Sequence, residues 1–200
     1  MLVLRSSPAS PFGRKVKIVA EILDLTSQIE DVTADTTDPT EVLREQNPLG
    51  KIPALILEDG FVIYDSRVIV DYLDHRAGGG GVIPADPAKR YPALVMQALA
   101  DGIADAALLR VYEGRWRTPE WRSAKWEAHQ QGKVDRGLAA ARAIDLDGPI
   151  HIGHIALACA LGYLDLRFAG EWRATNARLV AFLDDFAARV PSFEKTRVTA

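Results

Sequence analysis

The pattern of hydrophobic and polar residues changes near residue 80, from short apolar runs to the longer spacing of helices. Short runs before that point predict β-strands at Leu2–Arg5, Ala54–Leu57 and Phe61–Tyr64, and a further strand is expected around Gln28–Val32, between the first two of these. Asp59-Gly60 separates the last two runs, and this dipeptide is the strongest short signal for a hairpin turn. We therefore expect the last two strands to pair antiparallel.

A helix is expected between the first two strands. Pro11 suits the first helical position, and Ser10 suits the N-cap before it. The spacing predicts a buried stripe of Val16, Val19, Ala20 and Leu23, with basic residues facing outward, namely Arg14, Lys15 and Lys17.

A second helix is expected after the hairpin, with Ser66 in its first turn. Asp65-Ser66 precedes apolar positions whose spacing marks one buried face, Val68, Ile69, Tyr72 and Leu73. The order strand, helix, strand, proline-containing loop, strand, strand, helix is thioredoxin-like.

A flexible and then stiffer connector follows at residues 78–87, where Gly78–Gly81 precede a proline-rich stretch. It predicts one domain at 1–77 and another at 88–200. The second domain has only helical patterns, from Ala88 to about Tyr112, from about Pro119 to Ala143, at Ile152–Phe168 and at Arg173–Arg189, before a tail at Val190–Ala200. The third of these is apolar on nearly every side, which predicts a central helix with Cys159 as a core residue.

Composition narrows the class of protein. The 200 residues carry a formal net charge of −3, which argues against nucleic acid as a partner. No apolar run approaches membrane-spanning length and no signal-peptide layout is seen, so a cytoplasmic protein without a membrane partner is expected. A single cysteine excludes an internal disulfide and a Cys-x-x-Cys pair. Nothing in the sequence requires a metal.

Two segments of the first domain are suited to binding a peptide-like ligand. If the Ile52-Pro53 bond is cis, the backbone of Ile52 turns outward and offers a short antiparallel pairing. At Asp65-Ser66 a helix N-terminus with a hydroxyl suits a carboxylate, and the neighbouring Asp65 carboxylate suits an ammonium group. The γ-glutamyl end of glutathione carries both groups. The alternative for Ser66 is a plain N-cap without a ligand.

The run Asn47-Pro48-Leu49-Gly50-Lys51-Ile52-Pro53, followed by the hairpin, Asp65-Ser66 and an amphipathic helix, resembles the glutathione-binding half of cytosolic glutathione S-transferases. The resemblance is to serine-type, bacterial-like members and extends over the whole chain. It implies an α/β thioredoxin-like N-terminal domain followed by an all-α C-terminal helical domain, with glutathione as co-substrate and a homodimer as the assembly. Glutathione would be bound by Lys51, Ile52, Pro53, Asp65 and Ser66.

The same resemblance implies a pocket for a small hydrophobic electrophile, to which the helical domain contributes. Its candidate residues are Phe12, Tyr112 and Trp116. For Trp116, Trp121 and Trp126, packing between helices explains the sequence equally well.

Ser10 is the candidate catalytic residue. Ser10-Pro11-Phe12-Gly13 resembles the Cys-Pro-Tyr-Cys motif of glutaredoxins with both sulfurs removed, and in serine-type transferases the matching serine donates a hydrogen bond to the glutathione thiol. The alternative is a serine that only caps its helix, in which case Ser7 is the next candidate. A thiol oxidoreductase would need a cysteine near position 10, and none is present.

Family members usually open the central helix with a Ser/Thr-x-x-Asp capping box. Here His151 and His154 stand at those positions, so the box is absent as usually written. The two histidines share a helical face without a cysteine or carboxylate nearby in sequence, which favours a structural or capping role over a metal site.

The predicted function is conjugation of the glutathione thiolate to a hydrophobic electrophile. The alternative is a transferase-fold protein without catalysis that acts in regulation or interaction. Such relatives lack the residues that contact the thiol, whereas Ser10, Asp65 and Ser66 are all present here.

Overall fold

The computed structural model describes residues 1–198, which form two compact units. One contains Met1–Arg90 together with Val190–Val198, and the other contains Tyr91–Arg189. The first is a thioredoxin-like arrangement of sheet and helices, and the second is helical, as the sequence predicts.

The first unit is built on a four-stranded mixed sheet in the order β2-β1-β3-β4. Strand β1 pairs parallel with β2 and antiparallel with β3, which in turn pairs antiparallel with β4. The hairpin prediction at Asp59-Gly60 is confirmed, because Gly60 has a positive φ in the turn. The strands are β1 at Leu2–Ser6, β2 at Ile29–Thr33, β3 at Ala54–Ile56 and β4 at Val62–Ile63.

Three helices accompany this sheet, α1 at Pro11–Ile22, α2 at Leu43–Gln46 and α3 at Ser66–Arg76. The predicted outward position of Arg14 and Lys15 is wrong, since both are buried and Lys15 is only 1% exposed. On α3, Val68 is exposed, and Ile69, Val70 and Leu73 form the buried face instead.

Arg14 is buried because the last part of the chain covers it. Its Nε donates to the Thr196 hydroxyl at 3.2 Å, and its guanidinium lies 3.9 Å from the centroid of the Phe193 ring and donates to the Phe193 carbonyl. A short helix, α8 at Ser192–Lys195, therefore replaces part of the expected tail. The tail's last two residues lie outside the described part of the chain.

The connector after α3 is anchored rather than loose. The buried Asp74 carboxylate accepts hydrogen bonds from the backbone N–H groups of Gly80 at 2.9 Å, Val82 at 2.7 Å and Ile83 at 3.3 Å. Val82 and Ile83 are themselves buried. A carboxylate that satisfies three backbone donors in this way gives the segment a fixed course.

Helix α4 spans Pro87–Trp116 and continues from the first unit into the second, which otherwise contains α5 at Ala124–Ala143, α6 at Ile152–Phe168 and α7 at Ala177–Arg189. The bounds predicted for α6 are confirmed, and almost all of its residues are buried. Helix α5 begins later than predicted because Ser123 caps it, accepting from the Trp126 N–H at 3.2 Å. The helix predicted at Arg173–Arg189 is divided into a 3-10 turn, Glu171–Thr175, and α7.

By length and composition, α4 is long and apolar enough to cross a membrane, so the statement that no run approaches that length is wrong. Half of the relevant stretch is buried inside the protein. The helix also carries Asp101, which is buried. These features are typical of a core helix.

Candidate functional site

The sheet brings three candidate segments together at one end, where β1 and β4 finish and β3 begins. Arg5 pairs with Ala54, so the end of β1 lies beside the start of β3. Ile63 pairs with Leu55, so β4 finishes at the same end of the sheet. The loop that carries Ser10 follows β1, Ile52-Pro53 precedes β3, and Asp65-Ser66 follows β4. Topology therefore groups the candidate thiol and glutathione residues although they are up to fifty-six positions apart in sequence.

Ser10 is the N-cap of α1. Its hydroxyl oxygen accepts a hydrogen bond from the Gly13 N–H at 3.1 Å, and its backbone N–H donates to the Ser7 carbonyl at 3.0 Å. A hydroxyl that accepts in this way still carries its own proton for donation. Ser10 is half-buried. The capping prediction is confirmed, and the geometry leaves a donor for a further acceptor.

Gly13, three residues after Ser10, lies close to β1. A Cβ atom at Gly13 would stand 3.1 Å from the Ser6 Cβ and 3.5 Å from the Ser10 Cβ. Because real Cβ contacts are rarely that short, a side chain here would push the start of α1 away from the strand. Glycine at this position therefore allows the start of α1, with its Ser10 cap, to lie close to β1.

Asn47 shapes the loop that ends at Pro53, and sequence reasoning gave it no role. It is buried, its Nδ2 donates to the Lys51 carbonyl at 2.8 Å, and its Oδ1 accepts from the Leu49 N–H at 3.1 Å. An asparagine followed by proline is a recognised turn signal, which is the signal that could have identified it.

The residues held by this loop have different environments. Lys51 is exposed, Ile52 packs against Ala54 and Leu43, and Pro53 is buried. The Ile52-Pro53 bond is cis, which is the condition set by the sequence-based interpretation.

Asp65, and not Ser66, is the N-cap of α3. Its Oδ1 accepts from the Arg67 N–H at 2.9 Å, whereas Ser66 is the first helical residue and is buried. The alternative of Ser66 as a plain N-cap is therefore wrong. Asp65 is exposed, and the peptide bond before it is also cis.

The three tryptophans near the end of α4 do not pack between helices. Trp116 is 61% exposed, Trp121 is 74% exposed and Trp126 is 42% exposed, so the packing explanation is wrong. Tyr112 is half-buried in the second unit, and Phe12 is half-buried in the first, with its ring centroid 5.8 Å from the Lys15 Nζ.

Comparison with known proteins identifies the family. Residues 9–76 match the model of the glutathione S-transferase N-terminal domain. The uncharacterized GST-like protein YibF of Escherichia coli K12 is 31% identical over 199 residues, with 96% of each chain covered. A glutathione transferase family member of Pseudomonas fluorescens Pf-5, solved with bound glutathione, is 40% identical with a TM-score of 0.94, and each chain is fully covered.

The chain belongs to the glutathione S-transferase family. The Pseudomonas relative was also solved with bound S-(propanoic acid)-glutathione, and that structure gives a TM-score of 0.88 over 98% of this chain and 99% of that one. The family resemblance recognised in the sequence is thus confirmed.

The transferase capping box at the start of α6 is present in another chemical form. The His151 N–H donates to Nδ1 of His154 at 3.3 Å, and the Gly153 N–H donates to Nδ1 of His151 at 3.1 Å. The box is absent as usually written, but its folding role is kept, because an imidazole nitrogen accepts as a carboxylate does. The preferred capping role of both histidines is confirmed.

Burial determines the charge of this box. It lowers the pKa of His154 to about 4, helped by the nearby His151 and Arg189 and opposed by Asp145, and it also lowers the pKa of His151. The rings lie 3.8 Å apart between centroids. Both histidines are therefore neutral at pH 7, as the two accepting Nδ1 atoms require.

Proposed function

We propose that this member of the transferase family is an active enzyme that conjugates glutathione to an electrophile. The proposal rests on one observation: the Ser10 cap, the Pro53 loop and the Asp65-Ser66 helix start all follow or precede strands at the same end of the sheet. Binding and activating glutathione requires a hydrogen-bond donor to its thiol, a backbone segment that pairs with the peptide, and a site for its γ-glutamyl carboxylate.

Ser10 would stabilise the glutathione thiolate. A free thiol has a pKa of about 8.5 and is mostly protonated at pH 7. A hydroxyl donor at a helix N-terminus favours the thiolate and lowers that pKa. The Ser10 hydroxyl has a proton to give, since its oxygen already accepts from Gly13.

The rest of the first unit would hold the tripeptide. Ser66 and the N-terminus of α3 suit the γ-glutamyl carboxylate, and the exposed Asp65 carboxylate suits the ammonium group. The backbone at Ile52-Pro53 would pair with the cysteinyl part, with Lys51 near a second carboxylate.

The electrophile would be bound by Phe12, Tyr112 and Trp116. Support for an S-substituted product comes from the Pseudomonas relative that holds S-(propanoic acid)-glutathione. The electrophile binds as a second substrate, and detoxification in the cytoplasm is the setting that we propose.

We also propose a homodimer. Large apolar side chains are exposed on both units, Phe61 and Val68 on the first and Tyr91 and Val95 on the second. Exposed apolar residues of this size are typical of protein interfaces. Light scattering should therefore give about twice the 21.9 kDa chain mass at micromolar concentration.

Calorimetric titration with glutathione tests the binding site. Wild type should bind, and Ser66→Ala should bind about tenfold or more weakly, because one hydrogen bond to a charged group is lost. The matched control is Ser27→Ala, which changes an exposed serine in a 3-10 turn. Equal affinities of wild type and Ser66→Ala would remove Ser66 from the site.

An ultraviolet scan of the complex tests activation, since bound thiolate absorbs and thiol does not. Conjugation of 1-chloro-2,4-dinitrobenzene then tests catalysis. Binding without thiolate and without conjugation would favour the non-catalytic alternative.

A further inference from the structure

The second unit contains a cavity of about 150 Å³, lined by residues of α4, α5, α6 and the 3-10 turn at Glu171–Thr175 together with the residue that follows it. Every residue that lines this cavity belongs to the second unit, so the cavity is defined within that unit alone. None of them is a candidate for binding glutathione or the electrophile. A cavity of this size can hold one benzene ring.

The buried part of the cavity wall is apolar, and the part nearer to solvent is charged. Leu138, Leu164 and Trp172 line the cavity and are buried. Arg110 lines it and is half-buried, and Glu171 lines it and is exposed. A small molecule that matches this polarity carries an apolar ring at one end and charged groups at the other.

Two charged groups of opposite sign in this wall have no polar partner in the described chain. The Arg110 guanidinium lies over the Phe168 ring, 4.0 Å from its centroid, and makes no hydrogen bond or ion pair with any of residues 1–198. The Glu171 side chain likewise makes none with these residues. Although both groups line one cavity, they do not pair with each other.

The charges of the wall favour a zwitterion over a simple anion. An arginine that stacks on a ring keeps the edge of its guanidinium for a carboxylate, and a free carboxylate such as that of Glu171 suits an ammonium group. Asp135 also lines the cavity and accepts from the Gln131 Nε2 at 2.6 Å. With two carboxylates and one guanidinium in the wall, a ligand without a positive charge would be repelled.

One buried acceptor of the cavity wall is also unsatisfied. Asn176 is 4% exposed, and its Nδ2 donates to the Trp172 carbonyl at 2.7 Å and to the Thr175 hydroxyl at 3.1 Å. Its Oδ1 has no donor among the residues that the structure describes. Because a buried acceptor without a donor costs free energy, a ligand with N–H groups is favoured in this cavity.

We propose that this cavity binds a free amino acid with an aromatic side chain, whose carboxylate lies against Arg110 and whose ammonium group lies against Glu171. The ring packs on the buried apolar wall formed by Leu138, Leu164 and Trp172. This site goes beyond the proposed conjugation, and its occupation requires neither glutathione nor turnover.

The indole N–H signals of the whole protein report on the cavity, because the chain has four tryptophans and Trp172 alone lines it. In a proton–nitrogen NMR titration with L-phenylalanine, the Trp172 signal should shift with a Kd of about 1 mM or lower, as expected for a ligand of this size. Trp172→Phe assigns that signal by its loss. The signals of Trp116 and Trp121, which are exposed and lie outside the cavity, should stay in place.

Three related compounds test the parts of the ligand. L-Alanine keeps both charges and lacks the ring, 2-phenylethylamine lacks the carboxylate, and 3-phenylpropionate lacks the ammonium group. The first two should bind about tenfold or more weakly than phenylalanine, because each loses a buried ring or a pairing with the half-buried Arg110. The loss for 3-phenylpropionate should be about a few-fold, because Glu171 is exposed.

Two variants assign the charged contacts. Arg110→Gln should remove the preference for phenylalanine over 2-phenylethylamine and keep the preference over 3-phenylpropionate. Glu171→Gln should do the reverse. The matched controls are Arg136→Gln on α5 and Asp105→Asn on α4, which change exposed charges outside the cavity and should keep both preferences.

The titrations also define what would overturn the site. Either an unmoved Trp172 signal at a concentration about ten times the expected Kd, or an equal affinity for alanine, would overturn binding in the cavity. Equal binding of phenylalanine and its two singly charged relatives would overturn the zwitterion. Preferences that stay unchanged in both Arg110→Gln and Glu171→Gln, with unaltered melting temperatures, would overturn the assigned contacts. None of these results depends on conjugation, so failure of the transferase proposal is measured separately.

Discussion

The helices α1, α3 and α6 all begin at a residue whose side chain accepts from the first N–H groups, and they differ in what surrounds that residue. At α6, the half-buried His151 accepts from the Gly153 N–H, and the buried His154 accepts from the His151 N–H. At α1, the half-buried Ser10 accepts from one N–H, and at α3 the exposed Asp65 does the same. The comparison teaches that a cap residue shielded from solvent serves the fold alone, whereas a cap residue that solvent reaches keeps polar groups that a ligand can bind.

The largest effect is expected at the closed helix start, as a dependence of stability on pH. The folded-state pKa of His154 is lowered to about 4, from 6.5 in the unfolded chain. Between these values the unfolded state binds more protons, so the free energy of unfolding should be highest above pH 6.5 and fall as the pH falls to 4. The loss should be about 3 kcal/mol, and denaturant titrations from pH 4 to 8 would measure it.

The matched control restores the usual box with a double variant, His151→Ser with His154→Asp. Serine and aspartate cap without titrating between pH 4.5 and 6.5, so this part of the pH dependence should disappear. A double variant with the same pH profile as wild type would show that other groups cause it.

At the open start of α1, the expected effect is on conjugation. Ser10→Ala removes both the thiol donor and the cap, and the cap alone contributes about 0.5–2 kcal/mol of stability. Ser10→Asn keeps a cap and places a bulkier amide where the sulfur would lie, so conjugation should fall by about 10- to 100-fold while melting changes little. Rates of 1-chloro-2,4-dinitrobenzene conjugation, measured beside thermal unfolding, give both quantities.

Ser10→Cys sharpens the same comparison, because a thiol at a helix N-terminus is acidified and forms mixed disulfides with glutathione. Conjugation should drop and thiol transfer should appear. Three variants that conjugate like wild type would reduce Ser10 to a cap and make Ser7 the next residue to test.

The smallest effect is expected at the open start of α3. Asp65→Asn keeps an equally good N-cap and removes only the charge offered to the γ-glutamyl ammonium. An exposed ion pair contributes about 0.2–1 kcal/mol, so glutathione affinity should fall by a few-fold and stability should not change. Calorimetry at low and high salt would show the difference shrinking with salt, and a loss at both salt levels would point to the cap instead.

The sequence predicts the elements that depend on local patterns of residues. Apolar spacing locates α6 to the residue, and Asp59-Gly60 locates the hairpin, because both depend on neighbours within a few positions. The grouping of Ser10, Pro53 and Ser66 is implied by the family resemblance, and in the structure it follows from the order of strands in the sheet, which the chain order alone does not give.

The remainder depends on partners that are distant in sequence or chemically unusual. Arg14 is buried by contacts with Phe193 and Thr196, which no local pattern reveals. The usual Ser/Thr-x-x-Asp residues are absent at the start of α6, so the sequence suggested a capping role for the two histidines without showing which nitrogen accepts from which N–H.

Residues Val190–Val198 belong to the unit that begins at Met1, and this has a consequence for how the protein is made. During synthesis, helix α1 leaves the ribosome long before Phe193 and Thr196, the residues that cover Arg14. The thioredoxin-like unit therefore cannot complete its packing until Phe193 and Thr196 have been translated. A fragment that ends at Arg90 would expose the surface of α1 that this late segment covers.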